Sequence, residues 1–217
     1  TAYVINQVCG SGLRSVAAGY QAIMSNDADI IVAGGQESMS NAPHAINIRD
    51  GQKLEESKLV DTMIKDGLWD AFNGYHMGIT AENVASKWQI TRKDQDNFAL
   101  SSQTKAEKAQ KDEKFKNEIV PVVLKSEKDD SIFKIDEHPR AGMTIETLTK
   151  LNAAFKKNGT VTAGNASGIN DGAAAVLLMS QNEANKRNLV TLAKITSWAT
   201  CGVDPSLMGS GPIPASK

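Results

Sequence analysis

The run Tyr3-Val4-Ile5-Asn6-Gln7-Val8-Cys9-Gly10-Ser11-Gly12-Leu13-Arg14 decides how the chain is read. Its first six residues form an apolar, strand-like stretch that ends on a thiol, and a Gly-x-Gly turn follows at once. From Leu13 onward, Val16, Ala17, Tyr20, Ile23 and Met24 recur at the i, i+3, i+4, i+7 spacing of a helix with one buried face. Asp29-Ile30-Ile31-Val32-Ala33-Gly34 is a second apolar run beyond that helix. Strand 3–8, helix 9–25 and strand 29–34 predict a βαβ unit, and near-continuous apolar strands suit a parallel sheet covered on both faces. Free amides and the positive dipole end at a helix start stabilise an anion, so a cysteine there is held towards its thiolate. An arbitrary free cysteine is more often a buried packing residue. The strand–Cys–Gly-x-Gly–helix context reverses that preference, and Cys9 reads as a nucleophile.

Two further apolar runs come much later. Ala173-Ala174-Ala175-Val176-Leu177-Leu178-Met179 reads as a third strand. Leu192-Ala193-Lys194-Ile195-Thr196-Ser197-Trp198 reads as a fourth, after a short charged helix around 183–187. The long stretch between the second and third strands, 39–169, predicts a helix near 80–89. A longer helix follows over 92–111, with Phe98 and Ala99 on its inner face. A Val/Ile stretch at 119–124 and helix-like turns at 144–156 complete the insertion. Charges such as Lys105, Glu107, Lys108 and Lys111 read as a solvated helical face. There is no internal repeat and no low-complexity tract. The expected architecture is α/β, a layered core carrying a large inserted region.

Composition excludes several classes. The chain has 217 residues, 41% of them hydrophobic and 23% charged, as in ordinary globular domains. A net charge of -1 gives no reason to expect nucleic acid or an anionic membrane surface as partner. No apolar run reaches the 18 or so residues of a membrane-spanning helix, and no signal-peptide pattern opens the chain. Cys9 and Cys201 make neither a disulfide framework nor a metal site, and with only 3 histidines no metal is expected. A reducing, cytoplasmic setting fits best. The start at Thr1 and the turn-rich end from Gly209 to Lys217 suggest a piece of a longer protein.

At this point the motifs resemble a known family. Asn6 to Arg14 resembles the nucleophile motif of thiolases, and Ala33-Gly34-Gly35-Gln36-Glu37-Ser38-Met39-Ser40 their next signature. The likeness continues through Gly74-Tyr75-His76-Met77-Gly78-Ile79-Thr80-Ala81-Glu82-Asn83, then Thr162 to Gly172, then Gly202-Val203-Asp204-Pro205 to Met208-Gly209. It spans the whole chain in order and is strongest to the biosynthetic, acetyl-CoA-condensing branch. It implies a layered α/β/α thiolase core, incomplete here. Residues 1–38 and 170–190 would belong to the N-terminal half. Residues 39–169 would form an inserted loop domain for coenzyme A binding and tetramerisation, and 191–217 the start of a C-terminal half.

The resemblance also implies a ping-pong acyl transfer through an acetyl-Cys9 thioester, joining two acetyl-CoA into acetoacetyl-CoA or running in reverse. CoA thioesters would then be substrates, with no separate cofactor. The Cys9 amide would contribute to an oxyanion hole, where losing one donor typically costs about 10²–10³ in rate. By residue type His76 suits a general base. The resemblance places it instead in the lining of the acyl pocket, with Met77 and Met208 as apolar walls. Ser167 would bond the pantetheine arm, with Ala163 and Leu68 beside it. Arg140 would meet the nucleotide end, as phosphates favour arginine, and Thr147 stands where the family often has Ser. His44 and His138 read as structural or solvated. The segment from His44 to Met63 resembles the one through which these enzymes form tetramers as dimers of dimers.

Three family motifs are absent: Gly-His-Pro with the activating His, Cys-x-Gly-Gly-Gly with the second catalytic Cys, and Asn-Glu-Ala-Phe with an oxyanion Asn. Asn182-Glu183-Ala184-Asn185 lacks the Phe, and Cys201 is followed by Gly202-Val203-Asp204 rather than a glycine run. The 217 residues alone are therefore expected to be inactive. Two alternatives stand beside this reading: a degradative 3-ketoacyl-CoA thiolase acting on longer chains, and a non-catalytic CoA-binding or assembly module.

Overall fold

In the computed structural model, which describes residues 1–49, 58–126 and 129–217, the chain forms two compact units. Thr1–Met77 joins Ile169–Lys217 in one, and Gly78–Gly168 forms the other. The second unit is thus an insertion in the first. The division falls at Met77, whereas the inserted region was expected to begin at 39.

The first unit is built on a ribbon of two nine-residue strands, β1 (Ile30–Ser38) and β8 (Asp171–Met179). They pair antiparallel in unbroken register from Ile30↔Met179 to Ser38↔Asp171. The parallel sheet expected from sequence is corrected here. Continuous apolar runs report burial on two faces, but they do not encode which way the neighbouring strand travels. Helix α1 (Ser11–Met24) packs on this ribbon, with Ala17 and Gly19 as its buried residues. A Cβ on Gly19 would stand 2.8 Å from Leu178 and 3.2 Å from Ile31, so only glycine lets the helix lie this close. On the other face, Val32 and Leu177 are exposed.

The runs 3–8 and 192–198 do not form strands, which corrects the expected first and fourth strands. Residues 3–8 end in a turn, and Leu192 is 97% exposed. A strand must pair its amides and carbonyls with a neighbour. Among the described residues neither run has one beyond an isolated bridge from Gln7 to Cys9. Apolar character alone does not supply that partner.

Short pieces complete the first unit. Strand β2 (His44–Ala45) pairs with β3 (Val60–Asp61). A π-helical turn, Met63–Leu68, leads into a small hairpin of β4 (Trp69–Asp70) and β5 (Tyr75–His76). Helix α5 (Gln181–Lys186) and the short helix α6 (Pro212–Ala215) close the unit. Of the segment 44–63 read as a tetramer contact, residues 50–57 lie outside the described residues.

The second unit contains most of α2 (Met77–Lys87), then α3 (Arg92–Lys111), the hairpin β6 (Val122–Leu124) with β7 (Ser131–Phe133), and α4 (Ile145–Thr149). The expected long helix holds to the residue, because Thr91 and Asp94 close a reciprocal capping box at its start. Its inner face does not: Phe98 is 79% exposed, whereas Asp96 is fully buried. Arg92, Gln95 and Asp96, at i, i+3 and i+4, face inward because they meet polar partners there: Gln95 Nε2 donates to the Thr160 hydroxyl at 2.9 Å, and the partners of the other two are described below. The outer charges behave as expected, with Lys111 donating to Glu107 at 2.7 Å. Four helices stop in the same way, each followed by a non-glycine residue at positive φ: Asn26 (57°), Gln89 (53°), Glu113 (50°) and Asn188 (54°). Paired backbone bonds such as Asp27 N–H to the Ala22 carbonyl, 3.0 Å, close each end. Among the described residues, no helix is long and apolar enough to cross a membrane.

Candidate active site

Cys9 is exposed and sits one residue before the cap of α1. A tight turn presents it. The Gly10 amide donates to the Gln7 carbonyl at 3.0 Å and the Ser11 amide to the Val8 carbonyl at 3.1 Å. The Ser11 hydroxyl accepts from the Gln7 amide at 2.8 Å and donates to the Val8 carbonyl at 2.7 Å. Asn6 Oδ1 accepts from the Val8 amide at 2.9 Å. Clamped in this way, Val8 adopts φ 48°, a left-handed conformation that a β-branched residue avoids. Strain of this kind is stored where surrounding bonds over-determine the backbone. The cap position is Gly10, with no side-chain cap, so no side chain competes for the first amides of α1. Ser15 Oγ, at 2.8 Å from the Gly34 carbonyl and 2.7 Å from that of Gly12, pins the helix start to β1. The Arg14 guanidinium lies over the Trp198 ring, 5.1 Å from its centre.

Leu68, His76 and Met77 are brought together by the β4–β5 hairpin. Leu68 ends the π-helical turn, Trp69 pairs with His76, and Met77 opens α2. All three are half-buried. The turn between the strands is held by the buried Asp70 carboxylate, which accepts from the amides of Phe72 (2.9 Å) and Asn73 (3.2 Å) and from Asn73 Nδ2 (2.7 Å). The Asn73 side chain first, then those amides, hold the Asp70 carboxyl below its ordinary range. Gly74, at φ 72°, completes the turn. Met208 lies exposed on the 3₁₀ turn Pro205–Ser210, which Asp204 caps through the Ser206 amide at 2.9 Å. Cys9, Leu68, His76, Met77 and Met208 all belong to the first unit.

Arg140, Thr147, Ala163 and Ser167 belong to the second, and all four are exposed. The Arg140 amide donates to Gln103 Oε1 at 2.9 Å, which ties it to the outer half of α3. Two residues on, the Gly142 amide donates to Glu107 at 3.1 Å. Thr147 lies in the first turn of α4, its amide donating to Thr144 Oγ1 at 3.3 Å. Its neighbour Leu148 is fully buried against Gly164, where an added Cβ would stand 2.5 Å from Leu148. The α4 segment and the Ala163–Ser167 loop therefore adjoin. Arg140 is tied instead to Gln103 of α3.

A set of buried polar residues beneath this loop escaped the sequence reading. Glu82 accepts from the Thr160 amide (2.8 Å), the Thr160 hydroxyl (3.0 Å) and the Val161 amide (2.8 Å). Asp96 accepts from Arg92 Nε at 2.8 Å and from Asn165 Nδ2 at 3.0 Å. Asn165 in turn accepts from the Thr162 amide at 2.7 Å. The signal was present but ambiguous: Glu82 and Asn165 fall inside the two motifs quoted above, and Asp96 is four residues from Arg92. Nothing in a single sequence marks a carboxylate as buried.

Residues 1–182 match the thiolase, N-terminal domain family. An acetyl-CoA acetyltransferase of Paracoccus denitrificans is 62% identical over 216 residues, 100% of this chain and 55% of that protein. The solved structure of acetyl-CoA acetyltransferase from Syntrophomonas wolfei superposes with a TM-score of 0.95 at 44% identity, covering 99% of this chain and 54% of that one. The crystal structure of human mitochondrial 3-ketoacyl-CoA thiolase gives 0.91 at 42% identity, covering 98% and 54%. The chain spans about half the length of the relatives it matches. The two-stranded ribbon with α1 and the inserted unit are thus an incomplete thiolase fold, and the chain belongs to the thiolase family.

Proposed function

We propose that the protein carrying this chain is a biosynthetic thiolase, joining two acetyl-CoA into acetoacetyl-CoA and running the reverse thiolysis. The observation that carries this is Cys9, exposed in a clamped turn at the start of α1. The names of its acetyl-CoA acetyltransferase relatives support the reaction. In the first half-reaction the Cys9 sulfur attacks the acetyl thioester carbonyl. The C–S bond to CoA breaks, and the proton from Cys9 leaves with the CoA thiol. In the second, the α-carbon of another acetyl-CoA gives up a proton and attacks the acetyl-Cys9 carbonyl; the bond to Cys9 breaks, and the released sulfur takes up that proton. Thioester exchange is nearly isoenergetic, so the covalent intermediate is no trap.

In this reading Ala163, Ser167 and Thr147 of the second unit contact the pantetheine arm, Leu68 of the first is a further contact to CoA, and Arg140 meets the nucleotide phosphates. His76, Met77 and Met208 bound the acyl pocket. A tetrameric assembly and a cytoplasmic setting accompany this reading, and free thiols at both Cys9 and Cys201 agree with the latter.

The test uses the full-length protein. Incubated with acetyl-CoA and digested, it should yield a Cys9 peptide carrying one acetyl group, and Cys9→Ser should carry none. An unlabelled Cys9 in the native protein would overturn the acyl-carrier role and favour a CoA-binding module. Rates on acetoacetyl-CoA well above those on a long 3-ketoacyl-CoA are expected; the reverse order would favour the degradative reading.

A further inference from the structure

We propose that Asp96 is a positioning residue for coenzyme binding, joining the two segments that hold the pantetheine arm into one rigid part. The proposal rests on the reading that Thr147, Ala163 and Ser167 touch that arm. It adds a residue that itself touches no substrate.

Asp96 is fully buried, and both its side-chain oxygens are used. Oδ2 takes the Arg92 Nε hydrogen bond at 2.8 Å, and Oδ1 takes Asn165 Nδ2 at 3.0 Å. Each partner reaches a different segment. Arg92 Nη2 donates to the carbonyls of Leu148 (2.7 Å) and Leu151 (3.0 Å), the C-terminal side of α4, and so fixes the segment that bears Thr147. Asn165 Oδ1 accepts from the Thr162 amide at 2.7 Å, and its Nδ2 also donates to the Thr160 carbonyl at 3.1 Å. That closes the loop bearing Ala163 and leading to Ser167. One carboxylate therefore bridges α4 and the loop through α3, the helix between Thr91 and Asp112.

A bridge of this type is geometrically strict. Arg92 presents a planar fork whose Nε and Nη2 cannot move independently, so shifting α4 moves Asp96. Asn165 must offer its amide nitrogen to Asp96 and its oxygen to Thr162, which fixes its flip. A buried ion pair is weak evidence for stability, since apolar residues of like size often serve as well. Its use here is to specify a geometry. An arm that binds across two segments gains affinity when they are already set at the right separation, because less ordering remains for binding.

The experiment uses the full-length protein with acetyl-CoA as the varied substrate. Asp96→Asn turns an amide nitrogen towards one of its two donors and loosens the bridge. The expected result is a KM about tenfold higher, with kcat and the rate of Cys9 alkylation by iodoacetamide unchanged within about twofold. If Asp96→Asn does not accumulate as folded protein, Arg92→Lys serves in its place. It keeps a cation beside Asp96 but cannot fork to two carbonyls, and a KM rise of about threefold is expected. An unchanged KM, or a Cys9 alkylation rate that falls as KM rises, overturns the proposal, the latter because it marks general loosening. If the native protein shows no saturation with acetyl-CoA, the functional reading itself fails, and the inference with it.

Discussion

The Ser11 hydroxyl lies 2.7 Å from the Val8 carbonyl and 2.8 Å from the Gln7 amide, gripping from both sides the residue that precedes Cys9. The grip holds Val8 at φ 48°, and the chain turns there to offer Cys9 at the helix start. Removing the hydroxyl should let Val8 relax. Ser11→Ala is therefore expected to lower kcat/KM for acetyl-CoA about tenfold, close to one hydrogen bond's worth of positioning. Cys9 alkylation should slow in parallel, and Ser11→Thr should retain most of the activity. Equal alkylation rates in the native and Ala proteins would show that the hydroxyl does not set the thiol.

Val8 offers the complementary change. A β-branched residue in the left-handed region costs roughly 1–2 kcal/mol, and Val8 is 60% exposed, so replacing it removes little packing. Val8→Asn should stabilise the full-length protein by about 1 kcal/mol in urea unfolding, since Asn tolerates this conformation. A loss of stability would mean that the valine side chain is held by contacts stronger than the strain.

Gly34 is the tightest point of the ribbon. A Cβ there would lie 2.2 Å from the Ala174 carbonyl oxygen and 2.9 Å from the Ala175 Cα, both backbone and neither able to rotate away. Gly34→Ala should force β1 and β8 apart and cost several kcal/mol, read as insoluble or protease-sensitive protein. Folded Gly34→Ala protein with native thermal stability would refute the register.

Acid should weaken the same ribbon at its far end. The Ser40 hydroxyl first, then the Ser40 amide at 3.0 Å, hold the Asp171 carboxyl below its ordinary value of 3.8. A carboxyl lowered on folding stabilises the fold above its unfolded value, and that contribution is lost as pH falls through the lower folded value. Asp70, Asp94, Glu107, Glu146 and Glu183 are shifted in the same direction. Stability should therefore fall below about pH 4, and Asp171→Asn should flatten part of that fall while losing stability at neutral pH. Identical pH profiles would show that the Ser40 contacts carry nothing.

His76 separates pocket from proton transfer. As a lining residue, His76→Leu should change the preference between acetoacetyl-CoA and longer 3-ketoacyl-CoA substrates by severalfold. The pH dependence of Cys9 alkylation should not move. A shifted alkylation profile would promote His76 to the base.

Local signals carried the helices. The spacing of Val16, Ala17 and Tyr20 marked α1, and α3 spans the expected 92–111, because what holds such helices, the Thr91–Asp94 capping box among it, lies within a few positions along the chain. Strands were less legible. Residues 3–8 and 192–198 have the composition of strands, but pairing depends on a neighbour distant in sequence, and the direction of β8 against β1 is likewise a long-range fact. The Cys9 turn was readable from its glycines, whereas the Val8 strain was not, since no residue type announces a forced φ. Phe98 misled for a related reason: its helix turns polar side chains inward, and only the partners Leu148, Leu151 and Asn165 explain why.

Asn26, Gln89, Glu113 and Asn188 suggest where the protein could be hardened against heat without touching its chemistry. Each bends the chain in a way that a residue lacking a side chain accepts freely, so Gln89→Gly and Glu113→Gly should each relieve on the order of 1 kcal/mol. An engineer wanting a more durable protein could begin at these four corners and leave the thiol and its surroundings alone.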